Sequence, residues 1–297
     1  MNIQAQIDAY ARAYVARWRV PGLSISVVRD GAILFSAGYG VQSLATGQPA
    51  TADTLFHVAS VAKTMTSAAI FQLRERRLVD LDDPIVQHLP YFKVDDARSD
   101  SITIRQCLMH TSGIGHPVDY GWDKAEFDDD SLAPRAAHAG LVATGYEQTE
   151  DGSIVQSLYP YNRMHVPCGC IASSASEMSR WMLVNLQRGE LDGARILQAS
   201  TYDEMWRMQL RTSREDYSED PALGWWINRR HAETVMQHDG EDDGFLSNLR
   251  LWTESGYGVV MLCNAQWCDP WNASDEVYEL GLSHLRGTDW RNLTDAR

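Results

Sequence analysis

The amino-acid sequence predicts an α+β fold: one antiparallel sheet assembled from both ends of the chain, flanked by helices, with a helical region inserted between them. Three observations predict it. Strand-like runs lie near the start, the stretch from about Ser99 to Gly193 reads mostly as helix and loop, and short β-like runs return in the last third. The 297 residues, 44% of them hydrophobic, suffice for one sizeable domain. Its sheet part is expected over about 1–80 and 194–297, with the shortened helical or loop insert over about 81–193.

The elements follow in order. Ile3, Ile7, Tyr10, Tyr14 and Trp18 recur at helical spacing, which predicts an opening amphipathic helix laid on a core. Leu23 to Val28 alternates apolar and polar residues, Asp30-Gly31 follows, and Ala32 to Ser36 resumes, the pattern of a hairpin. Thr54 to Val58 is a short β-like stretch running into Ser60, and Val61 to Arg77, free of Gly and Pro, favours a helix. Asp82-Asp83-Pro84 opens another short helix, with Pro where a first turn tolerates it. Residues 113–152 carry little periodicity and read as loops, whereas Glu177 to Gln187 reads as a helix. Gly224 to Ile227, Thr234 to His238, Phe245 to Trp252 and Tyr257 to Cys263 read as strands, before a last helix at about Ser274 to Leu285.

Composition narrows the function classes. A net charge of −14 argues against nucleic acid and anionic membrane surfaces as partners. No apolar run approaches the ~20 residues of a bilayer span, and the first residues lack the pattern of a secretory signal, so a cytoplasmic location is expected. The five cysteines lack paired CxxC spacing and read as buried or incidental thiols. The histidines have no ligand spacing either, so neither metal nor cofactor is implied.

Ser60-x-x-Lys63 at the start of a helix places both side chains on one face, one turn apart. A serine hydroxyl becomes a useful nucleophile when a neighbouring base removes its proton. Lysine can be that base if desolvation lets it lose its own proton near neutral pH, whereas arginine cannot. Lysine occurs only at positions 63, 93 and 124, and arginine supplies most of the positive charge. Spacing alone also admits Lys63 as a surface residue near a helix start.

The surroundings carry more. Phe56 to Met65 followed by Leu78 to Ile85, Ile104 to Ile114 with its His-Thr-Ser-Gly, Gly169 to Met182, and Gln237 to Phe245 stand in that order along nearly the whole chain. Together they resemble the landmarks of class C β-lactamases and their relatives, the serine β-lactamase and penicillin-binding-protein superfamily, which includes family VIII esterases. The resemblance implies a β-lactamase-like fold with Ser60 as nucleophile and Lys63 as its base. It places His238-Asp239-Gly240 on the strand edging the cleft, His238 standing where other members carry lysine. The backbone N–H groups of Ser60 and Glu241 would form an oxyanion hole, and Gly240 would let substrate approach. On its own, His238 would read as a strand-end histidine bonded to a loop. By the same resemblance His57 and His110 are structural.

One landmark is missing. The family's second motif, Tyr-x-Asn or Ser-x-Asn, should fall between His-Thr-Ser-Gly and the Gly169 segment, and neither occurs there. Tyr120 and Tyr146 are the nearest candidates, and Gly115 to Ser131 stands in place of a longer helical segment. The resemblance gives that tyrosine a share in proton transfer, so its loss is expected to impair deacylation and let an acyl-enzyme accumulate. The expected function is a serine hydrolase acting on a small ester or amide, in the manner of a carboxylesterase, a β-lactamase or a D-aminopeptidase. The alternative is a catalytically impaired β-lactamase-fold protein that binds a ligand.

Overall fold

A computed structural model of the chain describes residues 2–115, 140–160, 165–211 and 219–286. Helix α1 (Ile3–Trp18) starts where Asn2 Oδ1 accepts from the Ala5 N–H at 2.8 Å, and ends at Arg19 in a left-handed conformation. It buries Ile7, Ala11 and Tyr14, the face its spacing predicts. Strands β1 (Gly22–Arg29) and β2 (Ala32–Gly40) form the expected hairpin. Its turn residues Asp30 and Gly31 both take positive φ, the geometry that matches strand twist.

Only Phe56–His57 of the next β-like stretch is strand, β3. A 3₁₀ turn (Ala59–Val61) then feeds α2 (Ala62–Glu75). Short helices α3 (Ile85–His88) and α4 (Ile104–Leu108) follow, the second opened by a reciprocal cap between Thr103 and Gln106. Within 113–152, read as loops, the structure instead starts a hairpin: β4 (Tyr146–Gln148) with β5 (Ile154–Gln156). Such three-residue strands are too short to show a period. Strand β6 (Ala172–Ser173) pairs with β3, and helix α5 (Ala175–Leu186) begins at a capping box of Ser174 and Glu177. The small hairpin of β7 (Glu190–Leu191) and β8 (Ala194–Arg195) leads to α6 (Ala199–Met205). Strands β9 (Asp220–Pro221), β10 (Trp226–Arg230), β11 (Glu233–Asp242), β12 (Phe245–Trp252) and β13 (Tyr257–Cys263) precede the closing helix α7 (Pro270–Arg286).

The main sheet has seven strands in the order β2-β1-β13-β12-β11-β10-β9, with every neighbouring pair antiparallel. Strand β1 from the first tenth of the chain lies against β13, more than two hundred residues later, with Leu23 opposite Cys263. Strand alternation divides the core. Val259, Met261 and Cys263 of β13 pack with α1 and α7 residues such as Ile7, Ala11 and Tyr278. Val260 and Leu262 face the other way, into a cluster with Val61 and Phe71 from the α2 side and Met178 and Met182 of α5. A buried charge pair ties sheet to helix: Arg250 Nη1 of β12 donates to Asp275 Oδ2 of α7 at 2.6 Å, and Arg230 of β10 donates to the same oxygen.

Candidate active site

Ser60 sits in the 3₁₀ turn and Lys63 in the first turn of α2, so the two side chains project along one face. Lys63 Nζ donates to Ser60 Oγ at 2.6 Å and to the Cys168 carbonyl at 2.8 Å. The second bond ties α2 to the 165–169 segment, as does the bond from Thr66 Oγ1 to the Pro167 carbonyl. From α2's other flank, Ser67 Oγ donates to the Leu223 carbonyl and Trp181 Nε1 to Thr64 Oγ1. Burial pushes the Lys63 pKa below the ordinary lysine value, with Cys168 and Asp242 acting in the opposite sense. An amine so placed can accept the serine proton.

The backbone entering the turn is strained. Ala59 has φ +45°, a left-handed conformation that costs a residue with a Cβ. It is held there on both sides. The Ala59 N–H donates to His57 Nδ1 at 3.2 Å, and Ser247 Oγ of β12 fixes the Val58 carbonyl at 2.7 Å.

Strand β11 forms the facing wall. β10 pairs with it only as far as Trp226 opposite Gln237, so residues 238–242 are partnered by β12 alone and pack toward the Ser60 turn. Gly240 meets that turn directly: a Cβ there would stand 2.6 Å from the Val58 carbonyl oxygen and 3.0 Å from Ala59 Cβ, and would also strike Ser247 Oγ. The missing side chain therefore admits the backbone of the turn that carries Ser60. The Glu241 side chain lies on the exposed, opposite parity of the strand.

His238 is buried, and its Nδ1 donates to the Asp239 carbonyl at 2.7 Å, which leaves the unprotonated Nε2 without a protein partner among the described residues. Burial, and next the positive charge of Lys63, lower its pKa to about 3. The imidazole is thus neutral at physiological pH and does not supply the positive charge of the lysine that the resemblance implies at this place. His110 stacks on Trp226 at 5.1 Å between centroids and lies 6.4 Å from the His238 ring.

Two groups escaped the sequence reading. One is the Cys168 carbonyl that receives the lysine. The other is Asp242, whose Oδ2 lies 3.5 Å from His57 Nδ1 and would be 3.2 Å from a Cβ built on Gly169. Burial raises its pKa to about 7, against the pull of Lys63. A signal for Asp242 exists: on an alternating strand it shares a face with His238 and Gly240. Among the described residues no three metal-ligating side chains cluster.

A family model described as Beta-lactamase matches residues 7–148 and 122–270. The chain belongs to the Beta-lactamase family. Within it, Protein flp of Staphylococcus aureus (strain N315) is 34% identical over 321 residues, covering 88% of this chain and 63% of that protein. This Beta-lactamase family chain thus spans a little under two thirds of the length of those curated relatives. Esterase EstB of Burkholderia gladioli is 31% identical over 155 residues, covering 47% of this chain and 40% of its own. The octameric penicillin-binding protein homologue from Pyrococcus abyssi superposes with a TM-score of 0.78 at 19% identity, over 98% of this chain and 78% of that one, and shows the same fold. The two matched pieces overlap over 122–148, the part of this family member where the second motif was sought.

Of the two tyrosine candidates, the one described, Tyr146, does not join Ser60 and Lys63. Tyr146 is buried at the start of β4, and its hydroxyl accepts from the Leu44 N–H at 2.6 Å, pinning the loop after β2. Its place in a hairpin that packs on Gly244 turns it to a structural task. Tyr120 lies outside the described residues. Lys63 meets Ser60 Oγ and the Cys168 carbonyl, and no tyrosine hydroxyl bonds to it or to Ser60 among the described residues. Nor is any helix among them long and apolar enough to cross a membrane.

Proposed function

We propose that this Beta-lactamase family chain is a serine hydrolase that cleaves a small ester or amide through an acyl-Ser60 intermediate. The contact of Lys63 Nζ with Ser60 Oγ at 2.6 Å carries the reading. The buried amine takes the Oγ proton as Oγ bonds to the substrate carbonyl carbon, and passes it to the leaving oxygen or nitrogen as that bond breaks. The Ser60 and Glu241 N–H groups are the oxyanion donors in this reading, which the approach of β11 to the 58–60 backbone supports. The neutral, buried His238 shapes the wall of the cleft on the face of β11 that carries Gly240 in this reading. The likeness to an esterase over part of the chain favours an ester over a β-lactam.

The test is acid-quenched reaction with a nitrophenyl ester, read by intact mass and peptide mapping. A single acyl adduct on Ser60, absent from Ser60→Ala, is expected. A second reading, a catalytically impaired binding protein, draws on the lack of a tyrosine hydroxyl bonded to Ser60 or Lys63 among the described residues. Absence of both adduct and turnover with any reactive acyl donor would favour it.

A further inference from the structure

We propose that Asp242, on the wall of β11 that faces Ser60 and Lys63, is the base that activates the water of deacylation. The proposal deepens the acyl-Ser60 reading and rests on it.

Four observations place Asp242 in the site. Strand parity puts it on the face of β11 that carries His238 and Gly240, on the stretch beyond the end of β10. Adjacent residues of one segment touch both groups: Lys63 Nζ bonds to the Cys168 carbonyl, and Asp242 Oδ2 lies where a Cβ on Gly169 would be in close contact. Each group perturbs the other electrostatically, Lys63 lowering the Asp242 pKa and Asp242 raising that of Lys63. Finally, Asp242 Oδ2 lies 3.5 Å from the buried His57 Nδ1, which itself accepts the Ala59 N–H, so the carboxyl sits against the segment that leads into Ser60. The titratable groups facing Asp242 are Lys63 from α2, His57 from β3 and Cys168 from the 165–169 segment, with Asp243 and Glu241 beside it in the chain.

As a free amine, Lys63 takes the Ser60 proton for acylation and passes it to the leaving group. Once the acyl-enzyme has formed, Lys63 takes a proton from solvent and Asp242 stands as a carboxylate. In that state a water oxygen bonds to the acyl carbon while its proton passes to Asp242. The acyl carbon–Oγ bond then breaks as Lys63 returns a proton to Ser60 Oγ, and a carboxylic acid leaves. Asp242 then gives its proton to solvent, which balances the one that Lys63 took up. The role that the resemblance gives to a tyrosine is filled by a carboxylate from the opposite wall.

The experiment is rapid-quench kinetics with a nitrophenyl ester on the native chain, Asp242→Asn and Asp242→Ala. Asp242→Asn should acylate Ser60 at a rate within a few-fold of native. It should deacylate about 10²–10⁴-fold more slowly, so that the adduct accumulates. In the native chain deacylation should fall as pH drops through about 7, and this limb should vanish in Asp242→Asn. Formate should restore deacylation of Asp242→Ala and leave its burst unchanged, which a purely structural role would not produce. Native-like deacylation with the pH limb intact in Asp242→Asn overturns the proposal and leaves the hydrolase reading standing. Loss of both phases without formate rescue marks Asp242 as structural and overturns it too. No Ser60 adduct even in the native chain overturns both readings.

Discussion

Gly240 of β11 lies so close to Val58 that a single methyl group between them would stand 2.6 Å from the Val58 carbonyl oxygen. The strand thereby sets the position of the turn that carries Ser60.

Gly240→Ala is accordingly expected to push that turn away from β11. Overpacking of this kind costs about 1–3 kcal/mol, and the Ser60 backbone would move with it. Urea denaturation should show the lost stability, and ester hydrolysis should fall well beyond what the remaining folded fraction explains. Native activity in Gly240→Ala would show that the turn is held by other contacts.

Lys63→Arg keeps a positive charge but supplies no base, since a guanidinium does not deprotonate in a protein. The expected outcome is loss of nitrophenyl ester hydrolysis by at least about 10²-fold, with an unchanged far-ultraviolet circular dichroism spectrum. Native rates in this variant would leave Ser60 to be activated by another group.

Stability should depend on pH through two groups of opposite sign. The folded-state pKa of His238, about 3, lies below the ordinary histidine value of 6.5, so this group's stabilisation is full above 6.5 and declines as pH falls toward 3. Asp242 is raised to about 7 from an ordinary 3.8, so its contribution is full below 3.8 and declines as pH rises through 7. Between about pH 4 and 6.5 the two slopes oppose each other. Replacing His238 by Gln should make stability fall more steeply with rising pH in that window, and Asp242→Asn should make it rise. Denaturant midpoints at pH 4.5, 5.5 and 6.5 test both, and a shared direction for the two variants would refute the assignment.

Tyr146→Phe should leave ester hydrolysis within a few-fold of native and cost on the order of 1 kcal/mol, the worth of a hydroxyl that accepts one backbone N–H. A collapse in acylation rate with stability intact would return Tyr146 to the active site.

Asp275→Ala would leave the Arg250 guanidinium, which is 2% exposed, without the carboxylate it bonds at 2.6 Å and with only Asp239 at 3.9 Å. Stranding a buried charge costs about 3–5 kcal/mol, so a marked drop in thermal midpoint is expected.

What was legible in the sequence is what local periodicity encodes. Ile7, Ala11 and Tyr14 mark the buried face of α1, and Asp30-Gly31 marks a turn that needs two positive φ values. Ser60 and Lys63 were legible because one helical turn brings them together whatever the rest of the chain does. Asp242 was not, because Glu241-Asp242-Asp243 reads as a solvated acidic run. Its burial comes from His57 and Gly169, which lie far away in the chain. Tyr146 misled for the same reason, since its partner Leu44 is supplied by a loop about a hundred residues earlier. The contact of Gly240 with Val58 was hidden because a sequence does not show which backbone comes close to a glycine.

The pairing of β1 with β13 has a kinetic consequence. Strands β10 to β13 are successive antiparallel neighbours and can form by local closure, but β1 reaches its place only when Leu23 finds Cys263 across almost the whole chain. Until it arrives, β13 is an edge, with the apolar run Val259 to Cys263 and a row of unpaired backbone groups exposed. A strand from another chain can pair with that edge as readily as β1 can. Refolding yield should therefore fall with protein concentration, and a peptide copying Gly22–Arg29 would compete with the chain's own first hairpin.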